Sequence, residues 1–231
     1  MASSHSNVAI ASDIFRKPTY RDVPLVESAI TILDGNHHEA DVERAIFSIL
    51  QIYFPVTEGW SLVPEFSVPE LKRPDVLVEK YSGPDPSKRP LDLFTSKIFL
   101  ELKSGTGDSF EKALNQVTSS LVTLTDRKEQ TSIFVIVMKG KKIGFFEYHN
   151  DRSNLSEEGI PQYLGLVPFN LPNSVAGRPK YAGTGNLPYK EDKNEEPRFD
   201  IRGGFLDIII DHVTVGQVLL WMKYNMPLNI T

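Results

Sequence analysis

The fold class is inferred mainly from two stretches, Arg-Pro-Asp-Val-Leu-Val at residues 73–78 and Lys-Ile-Phe-Leu-Glu-Leu-Lys-Ser at residues 97–104. Polar and apolar residues alternate in the second stretch, as in a strand with one buried face. Glu101 and Lys103 are two residues apart, so their side chains emerge on the same face, while the leucines and isoleucine between and before them can enter the core. Residues 83–90 contain three prolines and predict a loop between the two stretches.

Helices and further strands surround this pair. Apolar residues at helical spacing predict one helix from about Glu39 to Phe54 and another that begins near Ser109, with Asp108 as its cap and Glu111 completing a capping box. Short apolar or alternating runs predict strands at residues 60–68, 74–81, 132–138 and 143–148. The run from residue 133 to 138 is apolar at every position, which is typical of a strand covered on both faces. We therefore expect an α/β domain in which the strand with Glu101 is central, and there a charged pair needs partners.

The C-terminal third contains fewer regular patterns. Residues 150–204 are rich in proline and glycine, and a structureless loop of that length inside a compact domain is uncommon. This stretch is interpreted as a covering flap, an interaction segment or a lid. A strand at 205–211 and a helix at 213–225 are predicted to close the chain, so that residues 150–231 complete the domain whose core is 38–149.

The composition is that of an ordinary globular protein, since 40% of the 231 residues are hydrophobic and 24% are charged. The absence of cysteine excludes disulfides, thiolate metal sites and cysteine nucleophiles, and it fits an intracellular protein, cytoplasmic or nuclear. Residues 1–37 are interpreted as an extension in which residues 26–33 could form a helical turn or two. Neither a secretory signal nor an apolar run of the roughly 18 residues needed for a membrane helix is found, so no membrane partner is expected.

Charge is unevenly spread along the chain, whose formal net charge is −5. Residues 70–145 contain 13 Lys and Arg against 10 Asp and Glu, whereas the remainder contains 12 against 20. A mildly basic centre permits contacts with phosphate groups, although solvated surface charge explains it equally well. The five histidines lack metal-ligand spacing, and His37 and His38 are interpreted as a polar lead-in to the first helix.

In this context, Pro-Asp75 on one strand and Glu101-Leu-Lys103 on the next resemble the signature of the PD-(D/E)xK nuclease-like superfamily. The family's core is a helix, a three-stranded meander, a helix and a fourth strand, and the resemblance covers roughly residues 38–139. Many members also carry a glutamate on the first helix, for which Glu43 is the best match and Glu39 the second. A glutamine on the second helix is matched by Gln116.

The resemblance implies a restriction endonuclease-like core, with a mixed central sheet flanked by helices, and a metal-dependent hydrolysis of DNA or, as the second alternative, RNA. It implies that Asp75 and Glu101 hold Mg²⁺ or Mn²⁺ with the carbonyl of Leu102 as a third ligand. Lys103 would orient the attacking water or stabilise the pentacovalent phosphorus. Glu43 would reach the metal directly or through water.

Gln116, with Lys112, would steady the site or contact the nucleic-acid backbone. Simpler structural roles compete for each of these residues. Asp75 could cap a turn, Glu101 and Lys103 could form a structural ion pair, and the two helix residues, Glu43 and Gln116, could be ordinary polar positions.

The alternative from another class is a catalytically inactive nuclease-fold protein that binds a protein or nucleic acid. The acidic exterior and the 150–204 segment favour it, while the complete Asp, Glu and Lys set favours the nuclease. A homodimer is common in the family, but no interface is identifiable.

Overall fold

The computed structural model describes residues 19–35, 37–64, 75–128, 132–149, 166–168 and 205–225. Its helices are α1 (Pro24–Thr31), α2 (Glu39–Tyr53), α3 (Phe110–Lys128) and α4 (His212–Tyr224). Its strands are β1 (Trp60–Pro64), β2 (Val76–Tyr81), β3 (Phe94–Lys103), β4 (Ser132–Lys139), β5 (Lys142–His149), β6 (Leu166–Pro168) and β7 (Leu206–Asp207). The predicted α/β class is confirmed.

The seven described strands form one mixed sheet in the order β1-β2-β3-β4-β5-β6, and β7 also pairs with β5. Strands β3 and β4 are parallel, and the other neighbouring pairs are antiparallel. Parallel neighbours need a crossover connection, and α3 lies in that connection. Strand β3, with Glu101 and Lys103, is therefore flanked on one side by an antiparallel strand and on the other by a parallel one.

A hydrophobic core covers each face of this sheet. On one face the buried residues of α1, α2 and α4 pack against side chains such as Leu100 and Leu102. On the other face α3 packs against Leu77 and Phe99. Strand β4 contributes alternate residues to both cores, which confirms the prediction of a strand covered on both faces. The sheet is thus enclosed between two helical layers.

Two local predictions are wrong. The cap of α3 is Ser109, whose Oγ accepts a hydrogen bond from the Lys112 N–H at 3.1 Å, whereas Asp108 forms an ion pair with the Lys112 side chain at 2.8 Å. The strand predicted at 205–211 is limited to β7. The carboxylate of Asp207 accepts hydrogen bonds from the two following amides, of Ile209 and Ile210, and so turns the chain towards α4.

Residues 19–35 share the core of α2. Val26 and Ile30 on α1 are buried in the same cluster as the apolar face of α2, and the buried hydroxyl of Tyr20 donates a hydrogen bond to the carbonyl of Ile208. The N-terminal residues 1–18 lie outside the described part of the chain, as does all of the 150–204 segment except β6. Within the described residues, no helix combines the length and the apolar character needed to cross a membrane.

A substitution of Ile136, at the centre of β4, tests whether this strand is packed in the core. Its side chain is fully buried, so Ile136→Val is expected to lower the free energy of unfolding by about 1 kcal/mol through the loss of one methylene. The matched control is Ile52→Val on α2, where the side chain is 37% exposed and the expected loss is under about 0.5 kcal/mol. Urea unfolding of both variants measures the difference. Equal losses would contradict the burial of β4.

Candidate functional site

Asp75 lies beside Glu101 at the end of the β2–β3 ladder. The last pair of that antiparallel ladder is Val76 with Leu100, so the next position along places Asp75 opposite Glu101, and opposed residues share a face of the sheet. The Oδ2 atom of half-buried Asp75 accepts a hydrogen bond from the backbone N–H of Leu102 at 2.5 Å. This bond fixes the carboxylate of Asp75 against the part of β3 that lies between Glu101 and Lys103.

Glu101 and Lys103 form a buried ion pair. The Nζ atom of Lys103 donates to Oε1 of Glu101 at 2.6 Å, and only 11% and 7% of the respective side chains are exposed. Both side chains alternate with Leu100 and Leu102, so they project from the face of the sheet that α3 covers. Such a pair is costly to remove from water, and it matches the structural role as well as the catalytic one.

The electrostatics couple these three groups. Burial raises the pKa of Glu101 to about 7, and the charge of Asp75 adds to this rise, while the hydrogen bond and charge of Lys103 oppose it. Burial also raises the pKa of Asp75, against the hydrogen bond from Leu102. For Lys103, burial lowers the pKa, but the hydrogen bond and charge of Glu101, together with the other acids, outweigh it and raise the pKa overall. Coupled groups with shifted pKa values are typical of functional sites, although structural ion pairs produce them too.

The backbone carbonyl of Leu102 points towards the Asp75 side of β3. In a strand, the N–H and C=O groups of one residue point to the same side, and the N–H of Leu102 donates to Asp75. The next carbonyl, of Lys103, points the other way and accepts from the N–H of Gly140 at 2.9 Å, as alternation requires. The carbonyl oxygen of Leu102 and the carboxylate of Asp75 therefore lie on the same side of the strand.

Helix α2 contributes two more acids, one turn apart. Glu43 is half-buried and Glu39 is exposed. The charges of both raise the pKa of Asp75, and the charge of Glu39 also raises that of Glu101. The charge of Glu39, which is the second match to the family's glutamate, thus reaches both Asp75 and Glu101. Whether Glu43 or Glu39 points towards Asp75 and Glu101 stays a prediction.

Gln116 lies on α3, the helix that covers the face with Glu101 and Lys103. Its side chain is half-buried, and among the described residues no hydrogen-bond partner is found for its buried Oε1 atom. A buried amide oxygen without a partner is uncommon in folded proteins, where it is costly. Gln116 is therefore more than a solvated helix position, since its polar atom is turned away from water.

The donor set suits a hard divalent cation. Mg²⁺ is commonly held by one or two carboxylates with waters and substrate phosphates, and Asp75 and Glu101 with the Leu102 carbonyl supply donors of that chemistry. In the part of the chain that the structure describes, however, no three His, Cys, Asp or Glu side chains form a group that could hold a metal ion. Glu43 therefore does not complete a three-carboxylate cluster in this arrangement.

Comparisons with known proteins assign no family to this chain. No protein-family model matches it, and neither the curated proteins nor the solved structures include a significant match. Function has to be argued from the site itself.

Proposed function

We propose that this protein is a metal-dependent nuclease with a restriction endonuclease-like core, which hydrolyses phosphodiester bonds of DNA or, as the second alternative, RNA. The observation that carries the proposal is the convergence of Asp75, Glu101 and Lys103 at one end of β3, where register, ion pair and pKa shifts all connect them. The order α2, β1, β2, β3, α3, β4 and the mixed sheet support the same proposal.

Each residue has a distinct role in this proposal. Asp75 and Glu101, with the Leu102 carbonyl, would hold Mg²⁺ or Mn²⁺, which supplies positive charge for the phosphate and lowers the pKa of an attacking water. In the metal-free protein the pKa of Glu101 is raised to about 7, so binding of the cation near neutral pH would displace a proton from this carboxyl group. Lys103 keeps its proton because its pKa is raised, so its ammonium can stabilise charge that develops on the phosphate.

Gln116 and Glu43 have supporting roles. The buried Oε1 of Gln116 can accept a hydrogen bond from a donor such as a water. Glu43 adds negative charge near Asp75, which favours a bound cation. Neither residue is required to contact the scissile bond.

A non-catalytic function is the second candidate. The buried Glu101–Lys103 ion pair and the absence of a three-carboxylate group among the described residues also fit an inactive nuclease-fold protein that binds nucleic acid, or a protein partner through residues 150–204. The two candidates differ in one property. Only the nuclease needs Lys103 for an activity that also depends on a divalent cation.

The decisive experiment compares wild type with Lys103→Ala on supercoiled, linear, single-stranded and branched substrates, with and without Mg²⁺ or Mn²⁺. We expect cleavage of at least one substrate only with the metal, and a loss of at least about 100-fold in Lys103→Ala, because a positive charge at the phosphate is removed. Lys88→Ala is the matched control, since Lys88 is exposed and pairs with Asp85, and its rate should change by less than about threefold.

Lys103→Ala leaves Glu101 without its buried ion-pair partner, which can impair folding. Circular dichroism shows whether the variant folds. Where folding suffers, Lys103→Gln removes the positive charge but keeps a hydrogen-bond donor for Glu101, and it gives the same activity comparison. A wild-type protein that binds no cation and cleaves no substrate would favour the binding protein.

A further inference from the structure

The imidazole of His37 joins the start of α2 to the turn that follows β3. Its Nε2 atom accepts a hydrogen bond from the backbone N–H of Gly105 at 2.9 Å, and its Nδ1 atom lies 3.0 Å from the carbonyl of Gly35. Because a carbonyl only accepts, Nδ1 must carry the proton and Nε2 must be the acceptor. Both ring nitrogens of His37 thus form hydrogen bonds, and their partners, Gly35 and Gly105, are 70 residues apart in the chain.

The ring of His37 lies so close to Gly105 and Gly140 that a larger residue at either position would collide with it. A methyl group on Gly105 would lie 2.8 Å from the His37 ring, and one on Gly140 would lie 3.0 Å from Nε2. Gly140 also has a φ of 54°, in the left-handed region that favours glycine, and its N–H donates to the carbonyl of Lys103. The ring therefore packs against two turns that are both anchored at the end of β3.

An ion pair also connects the segment before α2 to the turn between β4 and β5, but it is more exposed. Lys141 Nζ and Asp34 Oδ1 are 2.7 Å apart, with 56% of the Asp34 side chain exposed. An exposed ion pair of this kind contributes little to stability. The half-buried ring of His37, which accepts from Gly105 and packs closely against two glycines, is the stronger constraint on how this segment lies against the turns.

We propose that His37 is a positioning residue, which sets the start of α2 against the end of β3 and so fixes the acids of α2 relative to Glu101 and Lys103. Glu39 is two residues after His37, and Gly105 is two residues after Lys103, so the bond connects the two elements close to their functional side chains. The charge of Glu39 acts on both Asp75 and Glu101, and its effect depends on this spacing. The catalytic meaning rests on the proposed function, whereas the link itself is independent of it.

Three variants separate the acceptor at Nε2 from the rest of the ring. His37→Asn keeps a polar group near the position of Nδ1 but is too short to accept from Gly105. His37→Gln can place its side-chain oxygen near the position of Nε2 and restore that acceptor. His38→Ala is the control, because His38 is the exposed neighbour, and its backbone N–H still donates to Asp41 at 2.9 Å.

Hydrogen exchange of the Gly105 amide, followed by NMR, reports on the link, and calorimetric titration with Mn²⁺ alone reports on the site. In His37→Asn we expect exchange at Gly105 to be faster and Mn²⁺ affinity to be weaker, each by about tenfold, which is the upper end for the loss of one neutral hydrogen bond. His37→Gln should restore both values to within about threefold of wild type, and His38→Ala should change neither. Unchanged amide exchange in β4 would show that the fold is intact.

The outcomes distinguish the inference from the proposed function. Unchanged exchange at Gly105 in His37→Asn would overturn the link. Faster exchange with unchanged Mn²⁺ affinity would overturn the positioning role and leave the nuclease proposal standing. A wild-type protein that binds no Mn²⁺ would overturn the proposed function and the positioning role together, while exchange at Gly105 would still decide whether the link exists.

Discussion

Asp75→Asn is expected to abolish the stabilisation of the protein by Mg²⁺ and Mn²⁺ without unfolding the metal-free protein. Asparagine retains an oxygen that can accept the hydrogen bond from the Leu102 N–H, so the contact at 2.5 Å can persist. The negative charge, which a cation requires, is lost. Because burial raises the pKa of Asp75, that charge is unfavourable in the metal-free protein, and its removal should leave stability equal or slightly higher.

Thermal unfolding with and without the cation measures this effect. Binding to the folded state alone stabilises wild type by mass action, by about 2.7 kcal/mol at a concentration 100 times the Kd. For a chain of this size the Tm should rise by roughly 5–10 °C, and in Asp75→Asn it should not rise. Nuclease activity should fall by at least about 1,000-fold, since a group that binds the cation is gone.

Asp92→Asn is the matched control for the Asp75 variant. Asp92 lies in an exposed ion pair with Arg89, where the same chemical change should leave the metal-dependent rise in Tm intact. A rise in Tm that persists in Asp75→Asn would move the cation to another part of the protein. An unfolded Asp75→Asn would instead make Asp75 a structural residue that holds β2 against β3.

Much of the sheet around the site could be predicted from the sequence because it depends on local alternation. The apolar run of β4 and the alternation around Glu101 each predict a strand and its buried face, and both strands are observed. Alternation does not reveal a bulge, however. The register shift at Val78 and Glu79 leaves Lys97 buried at 6% exposure, and burial lowers its pKa to about 8. A lysine in an alternating run gives no local sign of such a position.

Contacts between distant segments were the part that sequence patterns could not supply. The sequence predicts only a polar lead-in at His37, because nothing near it in the chain indicates that its ring meets Gly105. The same limit applies to the acids of α2. Helical periodicity places Glu39 and Glu43 on one side of the helix, but their order of importance depends on how the helix end meets β3.

The metal-free protein is expected to lose stability as the pH rises from about 4.5 to about 7, because of Glu101. The ordinary pKa of a glutamate is 4.5, and the pKa of Glu101 in the folded protein is about 7. Between these values the folded state retains a proton that the unfolded chain has released, so raising the pH favours unfolding. Below this window both states are protonated, and above it both are ionised. The total loss across the window is at most about 3 kcal/mol.

The raised pKa values of Asp75 and Lys103 do not reverse this loss of stability with rising pH. The pKa of Asp75 is also raised, so it contributes a loss in the same direction, starting above its ordinary value of 3.8. The raised pKa of Lys103 affects stability only when the pH approaches its ordinary value of 10.5 or higher. Glu101→Gln, which stays neutral at every pH, should therefore flatten most of the decline and be more stable than wild type at pH 7.5.

Urea unfolding in EDTA at intervals from pH 4 to pH 8 measures this difference between wild type and Glu101→Gln. Glu27→Gln is the control, because the hydrogen bond from Arg21 lowers the pKa of Glu27, and its removal should leave the decline in place. A wild-type stability that stays level or rises across the window would mean that the ion pair with Lys103 outweighs burial. Glu101 would then be ionised throughout, and binding of the cation near neutral pH would release no proton from it.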